Sequence, residues 1–171
     1  MATIPGAKLV APGGGKSITM YGVRFGYKVV SADTGGSLAM LEIQIPARTL
    51  VKPHCHSRED EFSMVLAGTV GVRVGDRVQE AGPGAYLVKP RDTPHAMWNV
   101  GTTPATVVEI LSPAGLEGYF ERLAPILERH GGDAPKQYYE LAREYGITIN
   151  DDWIEDLERT YGIKLNPDSG S

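Results

Sequence analysis

Between residues 18 and 111 the apolar residues come in short runs rich in Val, Ile, Tyr and Thr, each cut off by Gly or Pro. Runs of that kind predict β-strands. Val70-Gly71-Val72-Arg73-Val74, then Gly75-Asp76, then Arg77-Val78 predicts a hairpin, since glycine tolerates the positive φ of a two-residue turn. The strands follow one another with no helical segment between them, so the sheet is expected to be antiparallel. Its architecture is then a sandwich or a barrel whose interior can hold a ligand.

From Leu116 onward the period changes. Leu116, Tyr119, Phe120, Leu123 and Leu127 recur at three- and four-residue spacing, which predicts an amphipathic helix that Pro125 breaks or kinks. A second helix is predicted from Asp133 as N-cap, with Pro135 in its first turn, through Tyr138, Leu141, Ala142 and Tyr145 to a stop at Gly146. A third runs from Asp151 to Tyr161 with Trp153, Ile154 and Leu157 on one side and ends at Gly162. Three segments result: a flexible lead-in over 1–17, a β domain over 18–113, and a helical extension over 114–171 packed on it.

Charge narrows the partners. The formal net charge is −4, and residues 114–171 hold 12 acids and 6 bases, so the acidity belongs to the extension. No Lys/Arg cluster offers a surface to nucleic acid or anionic lipid, which leaves a small molecule as the expected partner. No apolar run reaches the roughly 20 residues of a membrane span, and the first residues lack the apolar core of a signal peptide. With a single cysteine, Cys55, this predicts a cytoplasmic protein without an internal disulfide. Gly13-Gly14-Gly15-Lys16-Ser17 looks like a phosphate loop, but it lacks the earlier glycine and no βαβ unit follows it.

The chemistry sits in two segments. In His54-Cys55-His56, residues two apart face the same way on a strand, so both imidazoles project into the interior while Cys55 packs on the outer face. The acidic run Glu59-Asp60-Glu61 follows, and Gly84 to Asn99 carries a strand into a proline-bounded turn that delivers His95. Imidazoles and a carboxylate suit Ni, Fe, Co, Mn, Cu or Zn, and three or four protein ligands leave positions open for substrate or dioxygen. His130, in Arg-His-Gly-Gly, reads as a helix C-terminal residue.

The spacing of His54, His56, Glu61 and Gly68 resembles the first motif of the cupin family, and Gly84, Pro90, His95 and Asn99 resemble its second. Asp92 stands where that family usually has glycine, and Asp tolerates left-handed backbone geometry. The resemblance implies an antiparallel jelly-roll β-barrel with a short C-terminal helical extension, one divalent transition metal per chain on His54, His56, Glu61 and His95, and a homodimer. Among the three acids it selects Glu61. Strand parity then places Ser63 and Val65 beside Glu61, and Met97 beside His95, as the apolar wall of the substrate pocket. Phe62 and Trp98 would face the other way, under the helical extension or at a dimer interface.

The single motif pair followed by helices is similar to small bacterial cupins of the quercetin 2,3-dioxygenase-like type. That likeness implies a metal-dependent dioxygenase that cleaves or oxidises a hydroxylated aromatic molecule, flavonol-like or enolisable, with Glu61 as both ligand and base. Two alternatives use the same residues: a non-oxidative isomerase, cyclase or dehydratase, and a metal-stabilised binding module without turnover.

Overall fold

Alternation along β10 (Ala105–Ser112) shows how these strands sort their side chains: Ala105, Val107, Glu109 and Leu111 are buried and the residues between them are partly exposed. The computed structural model describes residues 6–130 and 136–165. The remaining elements are β1 (Ser17–Met20), β2 (Val23–Val29), α1 (Ser31–Thr34), β3 (Ala39–Ile45), β4 (Leu50–His56), β5 (Asp60–Ala67), β6 (Val70–Val74), β7 (Arg77–Ala81), β8 (Tyr86–Lys89) and β9 (His95–Asn99), followed by α2 (Glu117–Arg129), α3 (Lys136–Glu144), β11 (Ile147–Ile149) and α4 (Ile154–Tyr161).

One sheet has the order β1-β2-β3-β10-β5-β8 and the other β11-β4-β9-β6-β7. Every described pairing between strands is antiparallel. The inner eight strands follow jelly-roll order, β3-β10-β5-β8 facing β4-β9-β6-β7. The expectation of a closed barrel is corrected: none of the described strands pairs into both sheets. The two apolar faces bury each other through side chains alone, so a sandwich removes the same surface from water without a continuous hydrogen-bonded circle. The β6–β7 hairpin turns at Gly75-Asp76 with Val74 opposite Arg77, and Gly75 has φ 56°.

Two clusters carry the packing. The larger fills the space between the sheets with Phe25, Leu41, Ile43, Val65, Val107 and Leu111 among others, and α2 and α3 add Leu123 and Tyr138 to it. The smaller lies outside the five-stranded sheet, where Leu50, Ala96 and Trp98 pack against Leu157 and Ile163 of the extension. Trp98 therefore faces away from the interior and sits under the helical tail, whereas Phe62 is 37% exposed on the other sheet. Gly71 is required beneath Trp98, because a Cβ there would stand 2.2 Å from the indole.

The extension departs from its sequence pattern in two places. Helix α2 runs through Pro125 without a break. Pro125 and Glu121, whose carbonyl loses its helical partner, are both exposed, so water can satisfy that oxygen. Ile147–Ile149 forms an unforeseen strand whose β-branched residues pair with His54–His56. Helix α4 ends at Gly162 in the left-handed conformation, as its sequence predicts, and Gly146 after α3 has φ 75°. Asp133 and Pro135 lie outside the described residues.

Candidate metal centre

A bulge in β4 aims the two histidines. Leu50 and Val51 pair with Trp98 and Met97, but the next pair is His54 with His95, so β4 carries one extra residue around Lys52-Pro53. Without it, even-numbered residues would share a face, and His54 and His56 would follow Leu50 toward the outer cluster. The extra residue turns the strand over, and Pro53, which has no N–H to donate, suits a bulge. His95 faces His54 directly across the ladder. Glu61 comes from β5 in the opposite sheet, so the centre bridges the sandwich.

The ligating atoms of His54, His56, Glu61 and His95 all lie within 4.8 Å of one another. His54 Nε2 is 3.0 Å from His56 Nε2, and Glu61 Oε2 is 3.1 Å from Nε2 of both His56 and His95. The far side of each ring is held outward. His54 Nδ1 meets the Lys52 carbonyl at 2.7 Å and His95 Nδ1 meets the Thr93 carbonyl at 3.1 Å, which assigns the proton to Nδ1 in both and turns the Nε2 lone pairs inward. Burial is the main force holding His54 and His95 below the ordinary imidazole range, and neighbouring imidazoles add to it.

Asp92 adopts the left-handed region at φ 60°, as its sequence reading expects, and its N–H donates to the His56 carbonyl at 2.7 Å. The turn before His95 is thereby tied to the strand of the other histidines. Of the three neighbouring acids, Asp60 leaves the centre to pair with Arg91 at 2.8 Å. Glu59 turns under His56, its Oε2 3.8 Å from Nδ1, and neither atom has a hydrogen-bond partner among the described residues.

Sequence reading missed the layer beneath. Lys89 lies opposite Glu61 in the β5–β8 register and donates to Glu61 Oε1 at 2.6 Å. It also donates to both oxygens of Glu109, at 3.1 and 3.0 Å. Burial pushes the Glu61 carboxyl up, but Lys89, His56 and His95 outweigh it, leaving Glu61 well below the carboxylate range. Burial pulls Lys89 down, but Glu109 and Glu61 outweigh it and keep the ammonium charged. For Glu109 burial dominates and the carboxyl is raised.

An apolar chamber opens from this centre. Met97 lines it, as parity predicts, together with Lys89 and Glu109. Ser63 and Val65 do not line it, although both face inward and are buried. The Ser63 hydroxyl donates to Glu109 at 2.7 Å, and Val65 is packed in the core between the sheets. Leu116, Tyr119, Phe120, Leu123 and Tyr138 of the extension complete the wall.

Comparison with known proteins agrees with this geometry. Residues 41–111 match the cupin domain family. The matched segment holds all four converging residues and also Lys89 and Glu109. Germin-like protein 2-4 of Oryza sativa subsp. japonica is 36% identical over 110 residues, 55% of this chain and 47% of that protein. The chain thus spans about half the length of the curated relative it matches. KdgF from Halomonas sp. superposes with a TM-score of 0.52 at 20% identity, covering 57% of this chain and 84% of KdgF. A predicted oxalate decarboxylase from Thermotoga maritima gives a TM-score of 0.53 at 16% identity, covering 57% of this chain and 90% of that one. These likenesses show a shared fold.

The donor set of the matched segment fits a divalent transition metal. Inward lone pairs on His54 and His95, buried beside an ionised carboxylate, repel one another unless a cation lies between them. Nε2 of His95 makes no hydrogen bond, although Glu61 is close. Three imidazoles and a carboxylate oxygen accept most first-row metals.

Proposed function

We propose that this chain is a metal-dependent cupin enzyme that oxidises a hydroxylated, enolisable aromatic molecule with dioxygen. The observation that carries the proposal is the convergence of three inward-facing imidazoles and one carboxylate oxygen at the end of an apolar chamber. His54, His56, Glu61 and His95 would hold the metal, which supplies Lewis-acid polarisation of a substrate oxygen and, if redox-active, a binding position for dioxygen. Glu61 would ligate through Oε2 and accept the proton of the substrate hydroxyl. Lys89 on Oε1 keeps that carboxylate ionised, as a proton acceptor must be, while limiting its basicity. The apolar wall excludes water and makes a bare substrate anion costly, so the substrate oxygen stays against the cationic centre.

A second reading draws on the Lys89–Glu109 pair in the chamber wall. A buried carboxyl with raised affinity for its proton, beside an ammonium, is suited to moving protons without oxygen, as in isomerisation, cyclisation or dehydration. Elemental analysis of purified protein, followed by a substrate screen in air and under argon, separates the readings. The oxidative one expects turnover in air only. The non-oxidative one expects equal turnover in both. Full metal occupancy in His54→Ala and His95→Ala would sink either.

A further inference from the structure

The chamber is longer than the centre needs. Phe25 on β2 aligns through Ile43 and Val107 with Val65 on β5, four residues beyond Glu61. Three strand spacings are about 14 Å and four residues along a strand about 13 Å, so the chamber runs diagonally across the sandwich, away from the metal ligands. At that far end the wall includes Met20, Phe25, Ile43 and Leu123. Phe120 of α2 also lines the chamber, with its ring stacked on Phe25 at a centroid distance of 5.0 Å. The chamber has ionised groups at its metal end and a stacked aromatic pair, half of it from the helical extension, in its wall toward β2.

We infer that the chamber takes a ligand with one chelating oxygen head and an apolar body directed toward β2, and that Phe120 sets the length of that body. The inference rests on the metal reading above, since the head is anchored at His54, His56, Glu61 and His95. Its physical basis is the depth of the apolar wall. Each methylene that enters it leaves water and contributes to affinity, and the contribution stops where the chain meets the Phe25–Phe120 stack. Helix α2 is therefore a specificity element, and Phe120 is a residue whose size, more than its chemistry, decides what fits.

The test is a ruler. Straight-chain alkyl hydroxamates, starting from acetohydroxamate, are titrated into the cobalt-loaded full-length protein, with binding read by calorimetry and chelation by the visible cobalt spectrum. In the wild type, affinity should rise by about fourfold per added methylene and then stop rising at a definite length. Phe120→Ala and the milder Phe120→Leu should move that limit to longer probes, and Phe120→Trp to shorter ones. Leu127→Ala is the control: Leu127 is a buried α2 residue, 5% exposed, that does not line the chamber. It should weaken the fold without moving the limit. A limit that is the same in wild type and all three Phe120 variants, or that moves equally in Leu127→Ala, would overturn the assignment. If acetohydroxamate itself fails to perturb the cobalt spectrum, the metal reading fails first and the inference goes with it.

Discussion

Replacing Lys89 by Met tests whether the ion layer under the metal centre is built as described. Lys89 is 3% exposed at its side chain, with Glu61 and Glu109 similarly buried, so removing the ammonium leaves two carboxylates in a low-dielectric interior. Breaking one partner out of a buried pair costs about 3–5 kcal/mol. The loss should not double for two carboxylates, because burial already raises Glu109 and it can take up a proton. A chain of this size loses roughly 2–4 °C of Tm per kcal/mol, which gives a fall of about 6–20 °C for the metal-free protein at pH 7. Thermal unfolding of chelator-treated Lys89→Met and wild type measures this directly.

Two further measurements tie the loss to charge. A divalent cation beside Glu61 partly replaces the missing ammonium, so added metal should raise the Tm of Lys89→Met more than that of wild type. Lys89→Met/Glu109→Leu also removes the Glu109 carboxyl that the lost ammonium leaves buried without its partner and should recover part of the stability, since apolar replacement of a buried pair is often neutral. A metal-free Lys89→Met protein within 2 °C of wild type (the change expected of roughly 1 kcal/mol or less) would refute the reasoning. So would a double variant no more stable than the single one.

Other substitutions probe the neighbouring roles. Glu61→Gln should keep much of its metal by elemental analysis yet lose activity by roughly 10²-fold or more, while Glu61→Ala loses both; near wild-type turnover of metal-loaded Glu61→Gln would remove the base role. Glu59→Leu should weaken metal affinity by about 10–100-fold in a competition titration, as expected if its carboxylate orients the His56 ring. His54 and His95 are held below the ordinary imidazole range, so in the metal-free protein their neutral forms stabilise the fold above pH 6.5 and that stability is lost as pH falls below it. Chemical denaturation from pH 7.5 to 5 should show the decline, and metal binding should weaken over the same interval. Phe62, Tyr86 and Val88 are exposed on the outer face of the β5–β8 pair, which we propose as a homodimer interface. Val88→Lys should then shift light scattering toward the 18.4 kDa monomer, and wild type already at that mass at micromolar concentration would refute the interface.

Residue types and spacings foreshadow the converging groups, but local parity does not explain how they meet. His54 and His56 share a face by alternation, yet it is the bulge at Lys52-Pro53 that decides which face, and Pro53 is the one local sign of it. Lys89 and Glu109 were legible in principle. Glu109 stands in phase with Ala105, Val107 and Leu111 on an alternating strand, and Lys89 follows Leu87 by two, so each charge occupies an inward position. A charge in an apolar phase needs a buried partner, and that partner comes from register: Glu61 lies opposite Lys89, and Ser63 opposite Glu109. The same register explains why Ser63 leaves the chamber wall, since its hydroxyl is committed to Glu109. Strand alternation specifies which side of a sheet a residue faces. Whether that side is core or chamber depends on what covers it, and here the cover includes Tyr119, Phe120 and Leu123 of α2, more than fifty residues away in sequence from Glu61. Amphipathic spacing predicts that such a helix buries one face, but the chamber it closes exists only once both sheets and the extension are assembled.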